Sequence, residues 1–241
     1  MDRGAGGKEG GAMNYGWLKT PPWWKKSGAT LITPDGNVVS QVYWRNGALV
    51  DAQSVGWAMQ GTVPQIGASG VFPPGAGPCS NVNYYKLGTG NDVLDFAGNF
   101  FAAIVLGSNP PNGNLPYSNG GYQVSGLYLT IYNPGSFYLS VNSAGAQGNA
   151  IASGTWYSGT ANLLCFGCSG GIYYAALNAG SVGSSAAAYV NGTTQQCYLG
   201  SNAANPGVNC LYEAYWTSTA WSTGLANGTA ASVRAKLKTP W

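Results

Sequence analysis

From Cys79 onward the chain is a succession of short apolar runs separated by Asn, Gly and Ser turns: "VNYYKLG", "DVLDF", "NFFAAIVLG", "SGLYLTIYN", "SFYLSVNS", "NLLCFGC", "GIYYAALNAG", "AAYVNG", "QQCYLGS" and "CLYEAYWT". The runs are rich in β-branched and aromatic residues and too short for helices, and their spacing is that of a sandwich. The expectation is an all-β, antiparallel two-sheet jelly-roll sandwich. The longest apolar run, Phe100 to Leu106, falls far short of the roughly 20 residues that span a bilayer, so no membrane partner is expected.

Charge is sparse. Charged residues make up 7% of the 241, against about 25% in an average soluble domain, while aromatic residues at 13% supply surface to bury. Six of the ten basic residues (Arg3, Lys8, Lys19, Lys25, Lys26, Arg45) lie in the first 45 positions, and Leu87 to Val233 holds no Lys or Arg. Nucleic-acid binding needs a basic stripe on the folded surface to neutralise phosphates, and the body of this chain has none.

Three regions follow. Residues 1–36 combine a Gly-rich tail with an extended arm built from Trp17, Pro21, Pro22, Trp23, Trp24, Lys25 and Lys26; adjacent prolines favour polyproline II and forbid a helix. Residues 37–78 hold two alternating runs about Asn46-Gly47, a hairpin signal, and read as a β ribbon and linker. Residues 79–241 form the sandwich. The start, "MDRGAGGKEGG", lacks an apolar h-region, so signal-dependent secretion is not expected. One stretch, Thr229 to Leu237, reads as a short helix with cations near its C-terminal end.

The succession "NFFAAIVLG", "GLYLTIYN", "FYLSVNSAG", "LLCFGCSGGIYYAALNAG", "AAYVNGTTQQCYLGS", "NCLYEAYWTSTAWS" and "ASVRAKL" resembles the concanavalin A-like lectin/glucanase superfamily, in its laminin G-like branch, over roughly Cys79 to Leu237. The preceding "LITPDGNVVSQVYWRNG…GWAMQGTVPQIG" is similar to lead-ins of phage virion proteins bearing such domains. The resemblance implies glycan contact and, in some members, calcium.

The chain has no histidine, which removes imidazole acid-base catalysis and the commonest metal ligand together. Its carboxylates are Asp2, Glu9, Asp35, Asp51, Asp92, Asp95 and Glu213, and no two alternate along a strand as a glucanase-type pair would. Glu213 reads as a hydrogen-bonded acid at a sandwich edge, and no catalytic residue is assigned. A calcium site, if the resemblance carries it over, falls on Asn91, Asp92 and Asp95. Glycan-binding candidates are Tyr117, Asn119 and Tyr122 in the loop-like "NGNLPYSNGGYQ", where rings stack on sugars and amides bond hydroxyls. The C-x-x-C pair Cys165 and Cys168 reads as buried thiols or one disulfide, since no second pair has zinc spacing.

Finally, "LKTPW" at Leu237 to Trp241 nearly repeats "LKTPPW" at Leu18 to Trp23. Trp-tipped, Pro-stiffened segments suit docking on a neighbouring subunit, so Trp241 joins the assembly arm. The expectation is a non-enzymatic structural protein of a virus particle, located in the virion: a phage capsid decoration, head-fibre or tail component. It would form a homo-oligomer, contact neighbouring capsid or tail subunits and host surface glycans, and need no cofactor. The alternative is a free carbohydrate-binding lectin domain.

Overall fold

A computed structural model of the chain describes residues 30–67, 72–87, 94–107, 113–119, 125–132, 135–143, 146–157, 159–190, 196–201 and 206–237. The first strands are β1 (Val38–Arg45), β2 (Ala48–Asp51), β3 (Trp57–Gln60), β4 (Gln65–Ile66), β5 (Gly75–Ala76) and β6 (Tyr84–Leu87). Next come β7 (Phe100–Leu106), β8 (Asn114–Ser118), β9 (Gly126–Tyr132), β10 (Ser136–Ser143) and β11 (Ala146–Ser153). The last are β12 (Asn162–Ser169), β13 (Ile172–Leu177), β14 (Gly183–Ser185), β15 (Tyr198–Leu199) and β16 (Leu211–Thr217), followed by helix α1 (Thr223–Leu237).

Two antiparallel sheets face each other. Sheet A runs β14-β13-β12-β7-β16-β1-β2, with β5 pairing β16 and β4 pairing β5; sheet B runs β11-β10-β9-β8-β15-β6-β3. The expected two-sheet sandwich is therefore present. The core between the sheets takes Val42, Ile104, Phe166 and Trp216 from sheet A and Leu129, Leu139, Tyr117 and Tyr85 from sheet B.

Sheet A is covered on its outer face as well. Leu31, Ile32, Trp221, Ala230 and Val233 pack there against Phe101, Val105, Leu163 and Cys165. Burial on both faces explains why β7, "FFAAIVL", is apolar without alternation. Among the described residues no comparable apolar cluster lies on the outer face of sheet B, and its strands β9 and β10 alternate: Leu127, Leu129 and Ile131, with Phe137, Leu139 and Val141, point inward.

Three boundaries differ from those read in the sequence. Residues 37–78 are not a separate ribbon: β1 lies between β16 and β2 in sheet A, and β3 pairs with β6 in sheet B. An isolated two-stranded ribbon is marginal in water, and Val42, Trp44 and Trp57 gain burial by completing the main core. The hairpin itself is as expected, with Asn46 at φ 52° and Gly47 at φ 76°, the left-handed pair of a type I′ turn. Residues 30–36, assigned to the arm, are packed on sheet A. The helix begins at Thr223, six residues before the expected Thr229; "GLANG" is a poor helix former, and docking of the helix on sheet A overrides it. Of the expected strands, "DVLDF" and "AAYVNG" contribute none among their described residues.

Candidate functional site

The N-terminal segment is held by a buried polar cluster. Glu213, fully buried on β16, accepts hydrogen bonds from the backbone N–H of Leu31 (2.6 Å) and Ile32 (3.2 Å) and from Gln41 Nε2 (2.6 Å). Lys236 of α1 reaches over the same segment, and its Nζ donates to the carbonyls of Thr30 (2.8 Å) and Leu31 (2.7 Å) and to Thr33 Oγ1 (3.2 Å). Burial pushes the Glu213 carboxyl up to about 7, against the pull of its three donors and the Lys236 charge. Burial also lowers Lys236 from its ordinary value, with Glu213 opposing. Asp35 completes the clamp, accepting from Thr217 and Thr219 hydroxyls. Burial is the largest influence on Asp35 and raises it, but the hydrogen bonds together hold it below its ordinary value. Glu213 thus sits mid-sheet between β7 and β1, not at a sandwich edge, and its role is structural.

A cleft of about 250 Å³ opens where β1 and β7 begin and β16 ends. Its lining includes Leu94, Asp95, Phe96, Asn99, Trp216 and Ser218. The turn before β7 shapes one wall: Asp95 Oδ1 accepts from the backbone N–H of Ala97 (2.9 Å) and Gly98 (3.2 Å), an Asx turn that exposes Asp95 and buries Phe96. Phe96 stands edge-on to Phe100, centroids 5.1 Å apart, and its carbonyl accepts from the Tyr173 hydroxyl at 2.7 Å. Asn99 Oδ1 accepts from Gly170 N at 3.0 Å, which leaves its Nδ2 on the rim. Trp216 forms the opposite wall, stacked on Trp57 at 5.6 Å. Its Nε1 is buried and has no hydrogen-bond partner, although buried donors are almost always paired.

The structure redistributes the candidate residues. Tyr117 is 0% exposed; it lies between the sheets against Phe96, Phe166 and Trp216. A ring with no exposed face cannot stack on a sugar, so its assignment to a glycan site is corrected. Asn119 is buried too: its Oδ1 accepts from Leu127 N (2.7 Å) and its Nδ2 donates to Tyr189 (3.1 Å), which fastens the end of β8 to the start of β9. Both sit on the β8 side of the core because β8 extends through "NLPYS", which the sequence reads as loop. Tyr122 lies outside the described residues, as do Asn91 and Asp92 and the whole arm: Trp17, Pro21, Pro22, Trp23, Trp24, Lys25, Lys26 and Trp241. Asp95 is the candidate that reaches the cleft. No group of three or more metal-ligating side chains occurs among the described residues. Cys165 and Cys168, three apart on β12, serve opposite faces of sheet A, one in the outer cluster and one in the core; none of the five cysteines is in a disulfide.

The cleft was missed because its residues come from three stretches that the β1–β16 and β7–β16 pairings bring together. The nearest sequence signal was the turn "LDFAGN", Leu94 to Asn99.

No family model and no curated protein matches the chain. Solved structures do. Domain 4 of AbnA, a GH43 extracellular arabinanase from Geobacillus stearothermophilus solved with arabinotriose, matches at 13% identity and TM-score 0.63 over 80% of this chain and 98% of that one. The binding domain of Paraclostridial Mosquitocidal Protein 1 matches at 11% identity and TM-score 0.62, over 81% and 52%. The binding domain of botulinum neurotoxin DC in complex with SialylT matches at 11% and 0.61, over 82% and 51%. The chain spans about half the length of these toxin domains and nearly all of the arabinanase domain. At such identities the likeness is one of fold: a two-sheet β-sandwich.

Proposed function

We propose that the protein is a non-enzymatic glycan-binding module whose cleft between Asp95, Asn99 and Trp216 takes the end of a sugar chain. The observation that carries this reading is a cleft lined by Leu94, Phe96 and Trp216 with the exposed side chains of Asp95 and Asn99 beside them. Asp95 Oδ2 and Asn99 Nδ2 offer an acceptor and a donor to sugar hydroxyls, beside apolar side chains against which a ring can pack. At about 250 Å³ the cleft is below the roughly 300–1,000 Å³ of drug-sized sites, a volume that fits one ring better than an oligosaccharide. No second described carboxylate lines it, so a two-carboxylate hydrolysis lacks its pair there. Support also comes from the arabinanase domain, a neighbour of the same fold solved with an oligosaccharide.

The described residues alone do not fit calcium: they bring one free carboxylate oxygen, at Asp95, where the ion takes six to eight oxygens. The test is a glycan array followed by calorimetry with the best binder, with and without EDTA. Asp95→Asn, which keeps the turn acceptor, and Asn99→Ala are expected to weaken binding at least tenfold with the melting temperature unchanged. No binding on the array, or equal binding by both variants, overturns the reading.

The wider proposal is display of this module on a virus particle, in a phage capsid decoration, head fibre or tail, through the Trp/Pro/Lys arm. Its support is the chemistry of that arm and its echo at Leu237 to Trp241. A free lectin domain differs by being a monomer that binds glycans without any use for the arm.

A further inference from the structure

We propose that the arm, Trp17 to Lys26, docks on the tyrosine-bearing outer face of sheet B of a second copy of this chain. The inference rests on the arm being an assembly device and adds the surface that receives it.

The inward residues of β9 and β10 leave Thr130, Tyr132 and Tyr138 on the outer face. Tyr138 lies opposite Thr130 on one side and Ile151 on the other, and the Tyr132 and Tyr138 rings meet edge to face at 5.0 Å. Tyr132 is 47% exposed and Ile151 44%. Thr130 Oγ1, buried beneath them, has no hydrogen-bond partner. A second pair, Tyr84 and Tyr198, meets at 5.5 Å on the same face, because Tyr85 and Leu199 point into the core. The strand order β10-β9-β8-β15-β6 sets the two pairs about three strand spacings apart, ~14 Å. Lys86 is the one charged residue in the described strands of sheet B.

The arm matches this face. Proline-rich segments dock in grooves lined by aromatic rings because their polyproline II backbone is already ordered, and at 3.1 Å per residue about five residues cover ~14 Å. Thr20 to Trp24, "TPPWW", is that length. Lys19, Lys25 and Lys26 meet no opposing cation cluster there, and tyrosine faces attract ammonium groups.

Reach decides in favour of a second copy. Thr30 is clamped by Lys236 on the outer face of sheet A, and the six residues back to Trp24 extend at most about 21 Å. The outer face of sheet B lies beyond two sheets stacked about 10 Å apart with side-chain layers on both sides, and the path must round an edge. The chain's own face is out of reach, whereas a neighbour's is not. "LKTPW" starts at the residue after Lys236, so a second Trp anchor leaves from the same clamp and raises the effective concentration of the pair. The contact is heterologous and closes into a ring or extends as a chain.

The test is sedimentation velocity on the full chain, on a chain starting at Ser27, and on full-chain Tyr132→Ser/Tyr138→Ser and Ile151→Glu variants, with circular dichroism as a check of folding. A fluorescent peptide of residues 14–28 is titrated onto the chain starting at Ser27. Expected are an oligomeric full chain, monomeric truncated and variant chains, and peptide binding that weakens at least tenfold when the Tyr132/Tyr138 or Ile151 substitutions are made. Should the double variant fail to fold, Ile151→Glu, at an exposed position, carries the comparison. A monomeric full chain overturns the arm's assembly role and this docking together. An oligomer that needs the arm but ignores both face variants overturns the docking alone, as does oligosaccharide binding at the tyrosines without peptide binding.

Discussion

The backbone N–H of Leu31 donates to the Glu213 carboxylate at 2.6 Å, tying together residues 182 positions apart. With Ile32 and Gln41 on the same carboxylate, and Lys236 holding the carbonyls on the other side, the segment at residues 30–33 is bound through its backbone. Lys236→Met removes the three donors and leaves those carbonyls without them. The expected cost is about 1–3 kcal/mol, read as a lower urea midpoint and as faster hydrogen exchange at the Leu31 and Ile32 amides than elsewhere in sheet A.

The same cluster titrates. The folded Glu213 value, about 7, lies above the 4.5 of a free carboxyl, so its stabilising contribution is complete below pH 4.5 and is lost as pH rises through 7. The chain has no histidine, so few other groups change charge in that window. Between pH 5.5 and 8.5 the wild type should lose about 2 kcal/mol relative to Glu213→Gln. Parallel stability curves for the two proteins would contradict this. In Lys236→Met the loss should continue to higher pH, because the cation that favours the carboxylate is gone.

Tyr117 separates core from site. Tyr117→Ala should cost about 3–5 kcal/mol, since the ring is fully buried among Phe96, Phe166 and Trp216. Tyr117→Phe gives up the hydroxyl contact to Cys197 Sγ at 3.3 Å and should leave both folding and any glycan affinity near wild type, as measured by thermal unfolding and calorimetry.

The thiols should be inert while the chain is folded. Burial pushes Cys79 and Cys197 up to about 12 and raises Cys165 as well, and the thiolate is the reactive form. At pH 8 these three should resist a thiol reagent, and all five cysteines should react in denaturant. Fast labelling of Cys165 in the native protein would show that its strand opens.

The sandwich was legible because its signal is local: apolar runs, alternation and turn residues at a regular spacing. Asn46-Gly47 named its hairpin turn correctly for the same reason. What the chain does with Tyr117, Asn119 and Glu213 was not legible, since each role is set by a partner in another strand. "NLPYS" contains a proline and sits among Asn and Gly, so it reads as loop, yet it pairs with β9 and β15. Glu213 has no carboxylate neighbour in sequence, and its donors arrive from residues 31, 32 and 41. Asp95 was found for its charge, whereas the cleft around it depends on Trp216 being carried there by the last strand.

The pairing of β1 with β16 also governs when this fold can form. Tyr43 faces Glu213 across that ladder, so a strand made early in synthesis waits for nearly the whole chain before gaining its partner. Closing so long a loop is slow, and until it closes the β1–β2 hairpin and β7 present unpaired edges that other chains can join. Fragments ending before Leu211 should therefore aggregate rather than fold, and host cells that slow translation or supply chaperones should raise the soluble yield of the intact protein.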